Sequence, residues 1–278
     1  MAHKIALLQM TSGTEPSENA CIIETAIEQA ADQGAEILFT PEMAGMLDRD
    51  RKRAAQHIVS ESESGFLQHM AKACSKAQIA LHIGSHAVAY DDGKWRNRSI
   101  LFDRQGRISA RYDKIHLFDV TLGNGDDWRE SSAYGAGQEA VLAHSPIGPL
   151  GMTVCYDMRF PALYAALVAN GAHVITVPAA FTVPTGKAHW HSLLRARAIE
   201  GQCFIIAAAQ NGEHEDGRKT YGHSLVIDPW GDVLLDMNNQ SGLGFASIDL
   251  EKVSETRKKL PSLANQRDFA KTVRIFTQ

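Results

Sequence analysis

A four-layer α-β-β-α sandwich, two mixed β-sheets face to face with helices outside, is the fold class this sequence predicts. Three observations carry it. Helical periods alternate with short apolar strands, that alternation restarts in the second half of the chain, and both halves run on into hairpin-like strands. At 278 residues the chain is long enough for one substantial α/β core, and a single domain over 1–278 is expected.

Lys4 to Met10 reads as a strand, Asn19 to Gln33 as a helix stopping near Gly34, and Glu36 to Thr40 as a second strand ended by Pro41. A helical Phe66 to Ala77 leads to a strand over Ala80 to His86, and the turn Asp91-Asp92-Gly93 feeds strands at Trp95 to Asp103 and Arg107 to Lys114. Ile115 to Gln138 has no period and reads as one long loop, a length that more often serves a site than an idle linker. Then Gly151 to Tyr156 is a short buried strand, Ala162 to Asn170 a helix closed by Gly171, and Ala172 to Ala180 a strand. His189 to Glu200 is helical up to Gly201, and Cys203 to Gln210 is an almost wholly apolar strand. Ser224 to Pro229, Val233 to Met237 and Gly244 to Leu250 form a β-rich end before a charged helix.

The chain is 44% hydrophobic and 22% charged, with a net charge of −4, a balance that gives no electrostatic reason to expect nucleic acid or an anionic membrane as partner. The expected ligand is a small molecule. MAHKIALLQM enters a strand at once and lacks the regions of a signal peptide, and no apolar stretch is long enough to span a bilayer. Cys21, Cys74, Cys155 and Cys203 match no zinc or redox spacing, so reduced thiols in a cytoplasmic setting are the simplest expectation.

Three polar residues fall at or just after the carboxyl ends of predicted strands: Glu42 after EILFTP, Lys114 closing RISARYDK, and Cys155 in GMTVCYD. Open α/β sheets bind ligands at that edge, so the three can converge. Each also has an ordinary reading, as a turn acid, a solvated lysine and a small buried thiol. What favours chemistry is the abrupt change after Cys155, where Tyr156-Asp157-Met158-Arg159-Phe160-Pro161 leaves an apolar strand for polar residues and a helix start. Such a turn exposes a nucleophile and aims backbone N–H groups at an oxyanion. A thiol needs a base to take its proton and a cation beside it, and Glu42 and Lys114 supply these types. Burial would raise the proton affinity of such a glutamate and the lysine would lower it, an opposition expected to tune it toward neutral pH.

FTPEM around Glu42, YDKIHLFD around Lys114 and VCYDMRFPAL around Cys155 resemble the three motif blocks of the nitrilase superfamily of carbon–nitrogen hydrolases. TGKAHWHSLLRARAIEGQCFIIAAAQ, YGHSLVIDPWG and LPSLANQR resemble the branch that holds deaminated glutathione amidases and ω-amidases, so the likeness runs nearly end to end. The resemblance implies the nitrilase-like sandwich, a Glu42–Lys114–Cys155 triad, a thioester at Cys155, and neither metal nor organic cofactor. It further implies a second acid, matched by Glu130 in WRESSAYGAG, that positions Lys114 or substrate, although relatives usually read Pro-Gly where this chain has Ala136-Gly137. A homodimer or higher homo-oligomer is implied as well.

The N–H of Tyr156 is a candidate oxyanion donor beside Lys114, Phe181 and Thr182 are candidate pocket walls, and Arg159 either meets a substrate carboxylate or holds Asp157 or the helix start. His189 and His191 lie two apart on a helix and do not face one way, which argues against a metal site. Arg195 and Arg197 suit a dimer interface or internal ion pairs. The leading substrate by resemblance is deaminated glutathione, cleaved to 2-oxoglutarate and cysteinylglycine. The alternatives are α-ketoglutaramate, an N-carbamoyl compound or a nitrile, since a triad sets the reaction and the pocket sets the substrate. A non-catalytic binding protein is disfavoured because all three blocks are intact, while a Cys-His hydrolase stays open with 12 histidines available.

Overall fold

A computed structural model describes residues 2–121 and 127–269. One six-stranded sheet runs Gly242–Asp249, Ala2–Gln9, Ile37–Phe39, Ala80–Ala89, Trp95–Phe102, Ile108–Asp113, and a second runs Val233–Asp236, Leu225–Ile227, Phe204–Ala207, Val174–Thr176, Gly148–Met152, Val141–Ser145. Both are mixed. Ala2–Gln9, Ile37–Phe39 and Ala80–Ala89 are parallel neighbours, as are Gly148–Met152, Val174–Thr176 and Phe204–Ala207, and the remaining pairs are antiparallel.

Strand alternation builds the layers. Ile5, Leu7, Ile37 and Phe39 point into a core shared with Leu150, Met152 and Ile175 of the other sheet. Their neighbours Ala6, Leu8 and Leu38 pack instead against Ile23 and Ile27 of helix Pro16–Asp32 and Phe66 and Met70 of helix Gly65–Ala77. On the far side, helices Pro161–Ala169 and Val183–Gly201 contribute Leu163, Leu167, Trp190 and Leu194. The order is helix, sheet, sheet, helix, as the apolar pattern predicts.

Four local readings need correction. The segment Ile115 to Gln138 is not one loop: a hairpin of Asp119–Thr121 with Asp127–Arg129 and a 3-10 turn Glu130–Ser132 lie within it, and residues 122–126 fall outside the described part. Strands of three residues with exposed ends show no alternation to read. The strand before Cys155 covers Gly148–Met152, not Gly151 to Tyr156, and Cys155–Arg159 is a 3-10 turn. Regular pairing within Ala172 to Ala180 is confined to Val174–Thr176. Helix Val183–Gly201 starts six residues before His189, with Pro184 in its first turn, where a missing N–H costs nothing.

Arg197 donates to Met158 O at 2.9 Å and pairs with Glu200, and Arg195 donates to Gly231 O, so both act within the fold. Among the described residues no helix is long and apolar enough to cross a membrane.

Candidate active site

The two sheets bring together what the sequence separates. Beyond Ile37–Phe39 the chain passes Thr40 and Pro41 to Glu42, beyond Ile108–Asp113 it reaches Lys114, and three residues beyond Gly148–Met152 it reaches Cys155. The seam is tight at Gly84, where a Cβ would lie 2.2 Å from Thr40 O and 2.4 Å from Pro178 Cβ. Only glycine lets the Glu42 segment and the segment behind Cys155 approach so closely.

Cys155 has a φ of 49°, left-handed for a residue with a side chain, a conformation that costs about 1–3 kcal/mol and persists only when its surroundings impose it. Its N–H donates to Pro178 O at 2.9 Å. The fully buried carboxylate of Asp157 accepts from Val154 N at 2.8 Å, from the Tyr112 hydroxyl at 2.7 Å and from His116 N at 3.0 Å, and its other contact is His116 Nδ1 at 2.7 Å. Asp157 thus ties the turn of Cys155 to the chain that follows Lys114.

Lys114 Nζ lies 2.8 Å from Glu42 Oε1 and 2.9 Å from Glu130 Oε2, with lysine and Glu42 only 2% and 5% exposed. Asn97 Nδ2 donates to both acids at 3.0 Å, Phe118 N donates to Glu130 at 2.6 Å, and Ala180 N donates to Glu42 Oε2 at 2.8 Å. The Cys155 thiol lies close enough to Glu42 for the carboxylate to act on its proton affinity. Removing one partner from so buried a cluster would strand a charge, at about 3–5 kcal/mol.

Burial alone would raise the Glu42 carboxyl, but the charge and hydrogen bond of Lys114, aided by Cys155 and Ala180, hold it below the ordinary carboxylate range. Burial would likewise lower Lys114, and the carboxylates of Glu130 and Glu42 lift it well above the usual amine value. Burial and then the Glu42 charge push the Cys155 thiol well up, against Lys114. The resting state is therefore carboxylate, ammonium and neutral thiol. This corrects the expected tuning of Glu42 toward neutral pH, because the charge and hydrogen bond of Lys114, with Cys155 and Ala180, outweigh its desolvation.

These groups floor a pocket of about 300 Å³ whose walls include Tyr156, expected to supply an N–H donor, and the two candidate wall residues Phe181 and Thr182. Arg159 stands behind that wall, its guanidinium 5.5 Å over Phe181 and 5.9 Å over Tyr156, with His189 Nδ1 3.3 Å away. It does not hold Asp157, whose oxygens are taken up as described. Among the described residues lining the pocket none is a histidine, which weighs against the Cys-His reading. Buried His82 and His86 are pushed down to about 3 and about 4 by desolvation. His191 turns away from His189 to Asp236, and with His223 these donor atoms lie within 4.8 Å of one another, linked by His–Asp hydrogen bonds outside the pocket.

Sequence reasoning missed Asn97, Arg218 and Trp128. A signal existed for Asn97, which shares a strand face with Leu101 of the inter-sheet core, an unusual place for an amide. Arg218 follows a turn at Asp216-Gly217 and reads as ordinary surface. Gly137, at the departure from Pro-Gly, donates to Lys114 O at 2.9 Å and lies where a Cβ would be 2.0 Å from Asp113 O, so its glycine is the half of that pair the site requires.

Residues 4–258 match the carbon–nitrogen hydrolase family. A deaminated glutathione amidase from Synechocystis sp. is 41% identical over 266 residues, covering 94% of this chain and 97% of that protein. The solved NitFhit protein of Caenorhabditis elegans, a nitrilase and fragile histidine triad fusion, superposes with a TM-score of 0.89 at 34% identity, covering 96% of this chain and 65% of that one. A glutamate-to-glutamine variant of an amidase from Nesterenkonia sp. AN1, with acrylamide added at its active site cysteine, superposes with a TM-score of 0.79 at 25% identity, covering 94% of this chain and 99% of that one.

Proposed function

Because this chain belongs to the carbon–nitrogen hydrolase family of the nitrilase superfamily, we propose that it is a cysteine-dependent amidase acting on deaminated glutathione. The observation that carries the reaction is the buried cluster in which Glu42 bonds the Lys114 ammonium at 2.8 Å beside the Cys155 thiol. Cys155 Sγ attacks the amide carbonyl while its proton passes to Glu42, and the oxyanion gathers at Lys114 Nζ and the N–H of Tyr156. Glu42 then gives that proton to the departing nitrogen as the C–N bond breaks, leaving a thioester and free amine. Water, deprotonated by Glu42, attacks the thioester; the C–S bond breaks and the proton returns to sulfur. Glu130 is a positioning residue, holding the ammonium through two short contacts.

The substrate rests on the relatives' name, since Arg159 lies over Tyr156 and Phe181 behind the pocket wall and does not itself line the pocket. Release of 2-oxoglutarate should be at least about tenfold faster in kcat/KM from deaminated glutathione than from α-ketoglutaramate, an order of magnitude set by contacts to the leaving group. The reverse preference would make the protein an ω-amidase, and inactivity on both would exclude this substrate pair. We further infer a cytoplasmic homodimer. Exposed Ile199, Trp230, Val233 and Leu234 support a self-association face, with Ile199 touching Gly231 beside Trp230.

A further inference from the structure

Arg218 stands in the pocket wall, and the mechanism gives it no part. Its side chain is only 17% exposed, its Nε is buried without a hydrogen-bond partner, and an acid, Asp216, lies 3.3 Å from a terminal nitrogen. The guanidinium lies 4.7 Å over the Trp128 ring, and that of Arg49 lies over the same ring at 5.4 Å. Asp216 serves both, with its carboxylate 4.0 Å from Arg49 Nε and accepting the backbone N–H groups of Arg49 and Arg218 at 2.9 Å. The nearby Asp48 is already gripped by Arg53 at 2.6 and 2.8 Å.

One carboxylate therefore faces two guanidinium groups, leaving a positive charge in excess. Other arginines of the wall are committed elsewhere: Arg51 donates to Arg129 O and Ser132 Oγ, and Arg129 donates to Val120 O and Trp128 O. Burial lowers the proton affinity of Arg218, Asp216 restores part of it, and Arg49 lowers it again. A second anion between the two arginines would relieve that repulsion and engage donors whose isolation is otherwise costly.

We propose that Arg218 and Arg49 form a subsite for a carboxylate carried by the leaving amine of the substrate. The proposal rests on the amidase reading above and adds how the leaving group is recognised. In deaminated glutathione the scissile amide stands between two carboxylates, one on the 2-oxo acyl half and one at the C-terminus of cysteinylglycine. The arginine pair on Trp128 answers the second, with the indole face lying against the peptide. α-Ketoglutaramate releases ammonia and has nothing to offer this subsite.

The test is calorimetric binding of deaminated glutathione, and of the same molecule with its C-terminal carboxylate converted to an amide, to Cys155→Ala and to Cys155→Ala carrying Arg218→Gln or, at the half-exposed rim, Arg49→Gln. The amide is expected to bind about 10- to 100-fold more weakly than the free acid to Cys155→Ala, the range of a charge-assisted hydrogen bond, and the arginine replacements should erase most of that difference. Equal binding of acid and amide to Cys155→Ala overturns the subsite, as does a difference that survives both arginine replacements. In turnover, Arg218→Gln should weaken kcat/KM for deaminated glutathione at least about tenfold more than for α-ketoglutaramate. Equal losses would move Arg218 to the acyl half and overturn the proposal. Failure of the wild type to hydrolyse deaminated glutathione would instead sink the substrate reading, while the binding comparison would still decide the subsite.

Discussion

Replacing Cys155 by alanine is expected to remove turnover with little loss of stability. Deleting a catalytic nucleophile typically lowers kcat by roughly 10⁵- to 10⁶-fold, because neither the oxyanion donors nor substrate binding can supply the bond-forming atom. Alanine keeps the Cβ and hence the same left-handed backbone strain at φ 49°, and it removes one sulfur from a residue already 7% exposed. What is lost is the thiol's packing beside Glu42, so the thermal midpoint should shift by only a few degrees, for about 1 kcal/mol. Steady-state release of 2-oxoglutarate and a melting curve on the same sample check both halves. Substantial residual activity in a well-folded Cys155→Ala protein would rule out the thioester route.

Exchanging Glu42 for glutamine should lower kcat by about 1,000-fold, the middle of the range for a positioned general base. Both carboxylate oxygens are committed, Oε1 to Asn97 and Lys114 and Oε2 to Ala180 N–H. Whichever way the glutamine amide is turned, its NH₂ meets a donor, so a loss of about 1–3 kcal/mol in stability should accompany the loss of rate, less than for a stranded charge because Glu130 still pairs with Lys114. Acrylamide separates base from nucleophile: a mass increase at Cys155 in Glu42→Gln would show that the sulfur stays reachable while hydrolysis stops. Full hydrolytic activity would eliminate Glu42 as the base.

The pH profile follows from the same contacts. The folded value of Glu42 lies below its ordinary 4.5, so the carboxylate persists above that and is lost only as pH falls through the lower folded value. Lys114, raised well above 10.5, keeps its charge until strongly alkaline pH. For the wild type, kcat/KM should be level between about pH 6 and 9. A limb centred near neutral pH would show that Glu42 titrates there and that the Lys114 contact is weaker than the geometry indicates.

Much of this was legible without coordinates, for identifiable reasons. The sandwich could be read because both alternating sets, Ile5, Leu7, Ile37 and Phe39 on one face and Ala6, Leu8 and Leu38 on the other, are apolar, and a strand apolar on both faces needs a cover on each. Glu42, Lys114 and Cys155 stood out as polar residues ending apolar runs, and FTPEM, YDKIHLFD and VCYDMRFPAL carried the family resemblance. These are local signals, encoded within a few residues of the positions they mark.

Charge balance and pocket shape are set by contacts between distant segments, and only the tertiary structure decided them. The ionisation of Glu42 depends on Lys114, 72 residues away, at 2.8 Å and on Ala180, 138 residues away, distances no window of sequence contains. Asn97 became a shared donor only once Glu42 and Glu130 were placed on either side of it. Arg218 gained meaning only when its turn came to rest on Trp128 beside Arg49. The sequence by itself determined the layers and marked the candidate reacting groups, since apolar periodicity and side-chain chemistry belong to single residues and their neighbours. Their proton affinities and the arginine pair in the pocket wall came from the fold, because electrostatics acts through space and the chain crosses that space in an order its residues do not state locally.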